Sequence, residues 1–284
     1  MSRGRSLFSN FRSDILAAAL EFVGTTFFLT LAFGGVQAVT AEANAGGGGS
    51  VVDRDMKIAL SFGFSLLVAA WLFYRVTGGL FNPQVSLALL LTGVIEPMRF
   101  VLFVIAELTG GIAAAALVLA LTPGPLQANT FLVHGINPAQ GVFIEAFITF
   151  ALCLAVLMLA AEKSIVTPFA PVGIGLTLFV CHLFAVYFTG AGMNSARSFG
   201  PAAVTGFPHG TQWVTMFTRS QARHRPFSVY PRGDDSFEYW KLNAGQDDTD
   251  SSQSPSDPVK KVGGGSNATG DNAANGEKSA GSEV

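Results

Sequence analysis

The sequence predicts an all-α membrane protein with five transmembrane helices and two re-entrant half-helices arranged as an inverted repeat. Three observations predict it. Half of the 284 residues are hydrophobic and only 13 % are charged, against about 25 % charge in a soluble domain. The apolar residues gather in five runs long enough to cross a bilayer, which takes about 20 residues. Two shorter apolar pieces, each headed by an Asn, occur at matching places in the two halves of the chain.

The first span, at about 15–39, carries Glu21. The loop after it contains AEANAGGGGS and then mixed charge, and is expected to be flexible and to lie outside. The second span, at about 57–76, leads into TGGLF and the first short piece, PQVSLALLLTG at 83–93. Apolar pieces of that length in such a chain are candidate re-entrant half-helices. The third span, at about 98–122, holds Glu107, and the loop at 123–140 has no Lys or Arg. The fourth span, at about 141–161, carries Glu145 and Cys153, and the fifth, at about 168–188, carries Cys181 and His182. TGAGM then leads into the second short piece, SARSFGPAAVTG at 195–206. Arg3, Arg5 and Arg12, then Arg75 and Arg99, then Lys163 lie on one side of this arrangement. The positive-inside rule makes that side, with the N-terminus, cytoplasmic.

The repeat is direct. TGGLFNPQVSLA at 77–88 aligns without a gap on TGAGMNSARSFG at 189–200, so Asn82 matches Asn194 and Ser86 matches Ser198. Upstream, Glu21 and Thr25 match Glu145 and Thr149. The first half adds a third span, so an odd number of crossings precedes the second half. That half therefore inserts upside down, and the half-helices enter from opposite faces. Their N-termini meet near the midplane with free backbone N–H groups and partial positive charge. Each Asn caps its helix and offers its amide NH2 to a lumen. The incoming loop carbonyls are tolerable at that depth only along an aqueous path. The expected product is a narrow pore that passes water by exchange of hydrogen bonds. It repels cations, and it orients a central water so that a proton wire is broken.

Other function classes find no support. A net charge of −2 offers no basic footprint for nucleic acid. Cys153 and Cys181 sit in apolar runs as small core residues, and no metal-ligand spacing, P-loop or hydrolase elbow occurs, so neither an enzyme nor a cofactor is expected. An ion-coupled transporter shares the inverted repeat but needs carboxylates in its path, and Arg197 has none nearby in sequence.

The motifs GGLFNPQVSLALLL, AELTGGIAAAALV, CHLFAVYFTGAGMNSARSFGPA and EYWKLNAGQDD resemble the aquaporin (major intrinsic protein) family, most closely its fungal orthodox water channels. The resemblance covers about 14–208. It implies a pore centre at Asn82, Pro83, Gln84, Asn194, Ser195 and Ala196. It implies an aromatic/arginine selectivity filter at Phe62, His182, Ala191 and Arg197, a water-type combination, and support of the two loops by Glu21 and Glu145. It also implies a homotetramer in a lipid bilayer, at the plasma membrane, conducting water, with small neutral solutes as further candidates.

On this reading residues 1–13 form a cytoplasmic N-terminus and 14–208 the aquaporin-like channel domain. Residues 209–243 are an atypical segment in place of the sixth span, and 244–284 are a disordered tail. Three features depart from the family pattern. Ser195 replaces the Pro of the second motif, and Gln84 replaces the Ala of the first, where a longer polar side chain narrows the centre or adds a hydrogen bond. HGTQWVTMFTRSQARHRPFSVYPRG stands where a sixth apolar helix belongs. The alternatives to a water channel are a non-conducting truncated or mis-spliced channel and a small-solute pore for glycerol or peroxide.

Overall fold

The computed structural model describes residues 11–47, 49–162 and 166–217. Arg3, Arg5, Lys163 and everything after 217, including most of the 209–243 segment and the tail, lie outside the described residues. Among the described residues eight α-helices follow one another: α1 (Phe11–Asn44), α2 (Val51–Phe73), α3 (Pro83–Leu91), α4 (Pro97–Leu121), α5 (Pro138–Val156), α6 (Ala170–Thr189), α7 (Ser195–Thr205) and α8 (Gln212–Phe217). A π-helical turn at Leu157–Ala161 extends α5, and a 3-10 turn at Thr167–Phe169 opens α6. Five of these segments are long and apolar enough to cross a membrane, at the places the apolar runs predict.

The helix ends follow from local chemistry. Ser50 caps α2 by accepting the Asp53 N–H. Asn137 and Gln140 form a reciprocal capping box at the start of α5. Proline opens α3, α4 and α5, where its missing N–H is no loss. Gly190 and Gly206 end α6 and α7 in the left-handed region.

The first loop is shorter than expected. Helix α1 runs on through Asn44, and the mixed charge that reads as loop forms the first turns of α2. Lys57 bridges Asp53, one turn back, at 3.0 Å and Glu42 at 3.2 Å. Those i,i+4 and inter-helix pairs let a charged stretch stay helical, leaving 45–50 as the connection.

The packing displays the repeat. α1 packs against α2 and α4, and α5 packs against α6 and α8. α2 and α6, its counterpart, pack against each other at the centre. α3 rests on α4, and α7 rests on α8. α8 therefore occupies in the second half the place of α4 in the first. Its residues Val214, Thr215 and Met216 are buried. Within the atypical segment expected in place of a sixth span, residues 212–217 thus pack where α4 packs in the first half. A hydropathy reading misses α8 because six residues are too few to register as a span.

Glycines set the closest approaches. A Cβ on Gly111 would collide with the Ala196 backbone, and one on Gly200 with the Gly111 carbonyl. α4 and α7 thus touch backbone to backbone, as small residues allow in membrane helices. An ion pair between buried Asp14 and half-buried Arg99, 2.9 Å apart, ties α1 to the start of α4.

Candidate functional site

The two half-helices meet end to end through their Asn caps. Asn82 Oδ1 accepts the Gln84 N–H at 2.9 Å. Asn194 Oδ1 accepts the N–H groups of Ala196 at 2.9 Å and Arg197 at 3.2 Å. Each amide nitrogen then crosses to the opposite loop. Asn82 Nδ2 donates to the Met193 carbonyl at 3.0 Å, and Asn194 Nδ2 donates to the Phe81 carbonyl at 2.8 Å. An amide NH2 carries two hydrogens, so each Asn has one bound to the facing loop and one left for the cavity it lines.

The loops that deliver these residues are strained in the same way. Positive φ occurs at Gly78, Gly79 and Phe81 in the first loop, and at the matching Gly190, Ala191 and Met193 in the second. For Phe81 (φ 53) and Met193 (φ 52) this conformation costs about 1–2 kcal/mol each. A buried carboxyl group holds each loop there. Glu21 accepts the N–H of Leu80 at 3.2 Å and of Phe81 at 2.9 Å. Glu145 accepts the N–H of Gly192 and of Met193, both at 2.9 Å, and the Thr189 hydroxyl at 2.5 Å. Thr77 and Thr189 also match: each hydroxyl accepts the N–H two residues on, from Gly79 and Ala191.

A cavity of about 260 Å³ runs through this junction. Arg75, Ile95 and Arg99 line it toward one side of the protein, Asn82 and Asn194 line it at the half-helix ends, and Phe62, His182 and Arg197 also line it. Phe62 and Arg75 lie roughly 20 Å apart in the direction of α2, at about 1.5 Å per residue.

Phe62, His182 and Arg197 form a constriction. The Phe62 and His182 rings stack with centroids 4.3 Å apart. The Arg197 guanidinium lies 4.8 Å from the Phe62 ring and 5.7 Å from Phe33, within cation–π range. Its Nη1 donates to the Ala128 carbonyl at 2.6 Å, and its Nη2 to the Gly190 carbonyl at 3.3 Å. No carboxylate lies within ion-pair distance of it among the described residues. His182 Nδ1 is 2.9 Å from the Leu178 carbonyl. A carbonyl only accepts, so Nδ1 carries a proton. Arg197 Nε and His182 Nε2 are buried without a protein partner. A buried polar atom in that state needs a polar guest. Ala191, the fourth filter position that the resemblance implies, is fully buried in the adjoining loop and does not line the cavity.

Gln84 does not line the cavity either. Its side chain turns to Ser195, away from the lumen, so of the two expected effects the added hydrogen bond is the one the structure has. Pro83 and Ala196 begin their half-helices beside the Asn caps. The structure adds groups that sequence reading missed: Phe33 beneath Arg197, and the carbonyls of Ala128 and Gly190. The carbonyls leave no side-chain signature. Ala128 reaches the site because Gln37 Oε1 takes the Gln127 N–H and folds the third loop over α1.

A sequence model of the family described as "Major intrinsic protein" matches residues 9–219. "Aquaporin-1" of Laccaria bicolor is 56 % identical over 259 residues, covering 89 % of this chain and 82 % of that protein. "Aquaporin-1" of Gibberella zeae is 41 % identical over 239 residues, covering 84 % of this chain and 74 % of that protein. Among solved structures, the aquaglyceroporin from Plasmodium falciparum superposes with a TM-score of 0.61 at 18 % identity, over 74 % of this chain and 91 % of that one. At that identity the likeness speaks to fold alone.

Proposed function

The chain belongs to the major intrinsic protein family of membrane channels, and from that premise we propose that it is a passive water channel. The observation that carries the reading is the Phe62–His182–Arg197 constriction, set on the same cavity as the paired Asn caps. Two stacked rings and a guanidinium against one of them crowd this stretch of the cavity, which favours a water over a carbon chain. Arg197 Nε and His182 Nε2 exchange hydrogen bonds with the passing molecule, repaying the bonds it loses to bulk water. Deeper in, the free hydrogens of Asn82 and Asn194 both donate to a central water. That water must then point its own hydrogens toward the two mouths, which interrupts a proton wire. The positive ends of α3 and α7 and the uncompensated Arg197 repel cations.

The wider assignments follow the same reading: a homotetramer in the plasma membrane with the N-terminus cytoplasmic, no enzymatic activity, and water as the permeant. The names of the fungal relatives support water as the permeant, and the placement of Arg75 and Arg99 on one side supports a cytoplasmic N-terminus.

The test is osmotic shrinkage of proteoliposomes followed by light scattering. Water permeability well above that of empty vesicles, with glycerol and hydrogen peroxide excluded, is the expected result. Fully inserted protein without water flux sinks the proposal in favour of a non-conducting product. Glycerol or peroxide uptake as fast as water redirects it to a small-solute pore.

A further inference from the structure

The two departures at the pore centre are partners. Ser195 occupies the first position of α7 and, unlike a proline, presents a backbone N–H. The Asn194 cap already serves Ala196 and Arg197, so the Ser195 N–H is one of the donors a helix start leaves over. Gln84 Oε1 accepts it at 2.8 Å. Gln84 Nε2 donates back to Ser195 Oγ. The Ser195 hydroxyl in turn donates to the Met216 carbonyl of α8 at 2.5 Å. Both residues are half-buried, and the circuit leaves neither the serine N–H nor its hydroxyl idle.

The geometry points to Gln84 and Ser195 as one positioning device, a clamp that joins the first turns of the two half-helices and locks α7 to α8. Gln84 directly follows the helix start capped by Asn82, and Ser195 adjoins Asn194. The clamp therefore sets the distance and tilt between the two Asn caps without entering the cavity. Its logic is paired. Gln84→Ala alone strands the Ser195 N–H. Ser195→Pro alone removes that N–H and the hydroxyl, stranding the Gln84 amide between two helix ends and cutting the tie to Met216. Changing both removes donor and acceptor together, and proline pre-sets the backbone angle that starts a helix. A buried group left unmatched costs more than a matched pair removed.

A double-substitution cycle on the full-length chain tests this, with Q84A, S195P and Q84A/S195P beside the parent. Thermal unfolding in detergent and the water-to-glycerol and water-to-proton permeability ratios in proteoliposomes are read together. Each single change is expected to lower the midpoint and to cut the water-to-proton ratio at least about threefold, with the double change closer to the parent than either single. Ser195→Thr, which keeps both groups, is expected to retain the parent's unfolding midpoint. Additive effects in the cycle overturn the clamp. Non-additive unfolding with unchanged permeability ratios overturns its positioning role and leaves ordinary packing. The flux arm rests on the water-channel reading. A parent that conducts nothing sinks that reading, and the unfolding cycle still decides the clamp.

Discussion

Replacing Glu145 by Gln removes one acceptor from a site where three donors converge. The carboxyl oxygens accept Gly192 N–H and Met193 N–H, each at 2.9 Å, and the Thr189 hydroxyl at 2.5 Å. Glu145 is fully buried, so water cannot substitute. A Gln keeps one oxygen and turns an NH2 toward a backbone N–H that also donates. A stranded buried N–H costs about 1–3 kcal/mol, and the remaining bonds weaken because charge-assisted ones are about twice as strong as neutral ones. About 3 kcal/mol is the expected total. At about 2–4 °C per kcal/mol for chains of this class, the midpoint falls by about 6–12 °C. Met193, held at φ 52 by this carboxyl group, loses what keeps it there. Asn194 and Arg197 then shift, and water permeability drops with stability. Differential scanning fluorimetry in detergent and vesicle shrinkage measure the two effects. A midpoint within about 2 °C of the parent, with unchanged permeability, would refute the idea that Glu145 holds the strained loop.

Other substitutions probe other parts. Arg197→Ala opens the constriction beside Phe62 and frees the Ala128 and Gly190 carbonyls, to which the guanidinium donates. Glycerol uptake into vesicles should rise several-fold, and uptake equal to the parent's counts against Arg197 as the narrowest point. Gly200→Ala pushes a methyl group into the Gly111 backbone. Overpacking of this kind costs about 1–3 kcal/mol or more, and an unfolding midpoint no lower than the parent's contradicts the close contact of α4 and α7. Arg99→Ala leaves Asp14 buried and unpaired, its side chain only 3 % exposed. A loss of about 3 kcal/mol is expected, with Asp14→Asn in the same background restoring part of it. Absence of that rescue means the ion pair is not what joins α1 to α4.

The five spans, the two half-helices and the Asn-headed repeat were legible in the amino-acid order because a bilayer imposes length and hydropathy on any segment that crosses it. A gapless match of TGGLFNPQVSLA to TGAGMNSARSFG then carries two-fold symmetry. Symmetry alone pairs Glu21 with Glu145 and Phe81 with Met193. The family resemblance also singled out Phe62, His182 and Arg197, which the structure brings within ring-contact distance. Three things needed the folded chain. Helix α8 is too short to announce itself by hydropathy, and its place is visible only from its packing on α5 and α7. The carbonyls that hold Arg197 belong to Ala128 and Gly190, and every residue has a carbonyl, so residue type cannot mark them. Gln84 and Ser195 each look like a defect when taken singly. They lie 111 residues apart in the chain, and only the antiparallel meeting of α3 and α7 makes one the hydrogen-bond partner of the other. Composition and periodicity decide what lies in the membrane, because lipid selects segment by segment. Which polar groups satisfy one another is decided by tertiary proximity, because a hydrogen bond depends on distance in space and takes no account of distance along the chain.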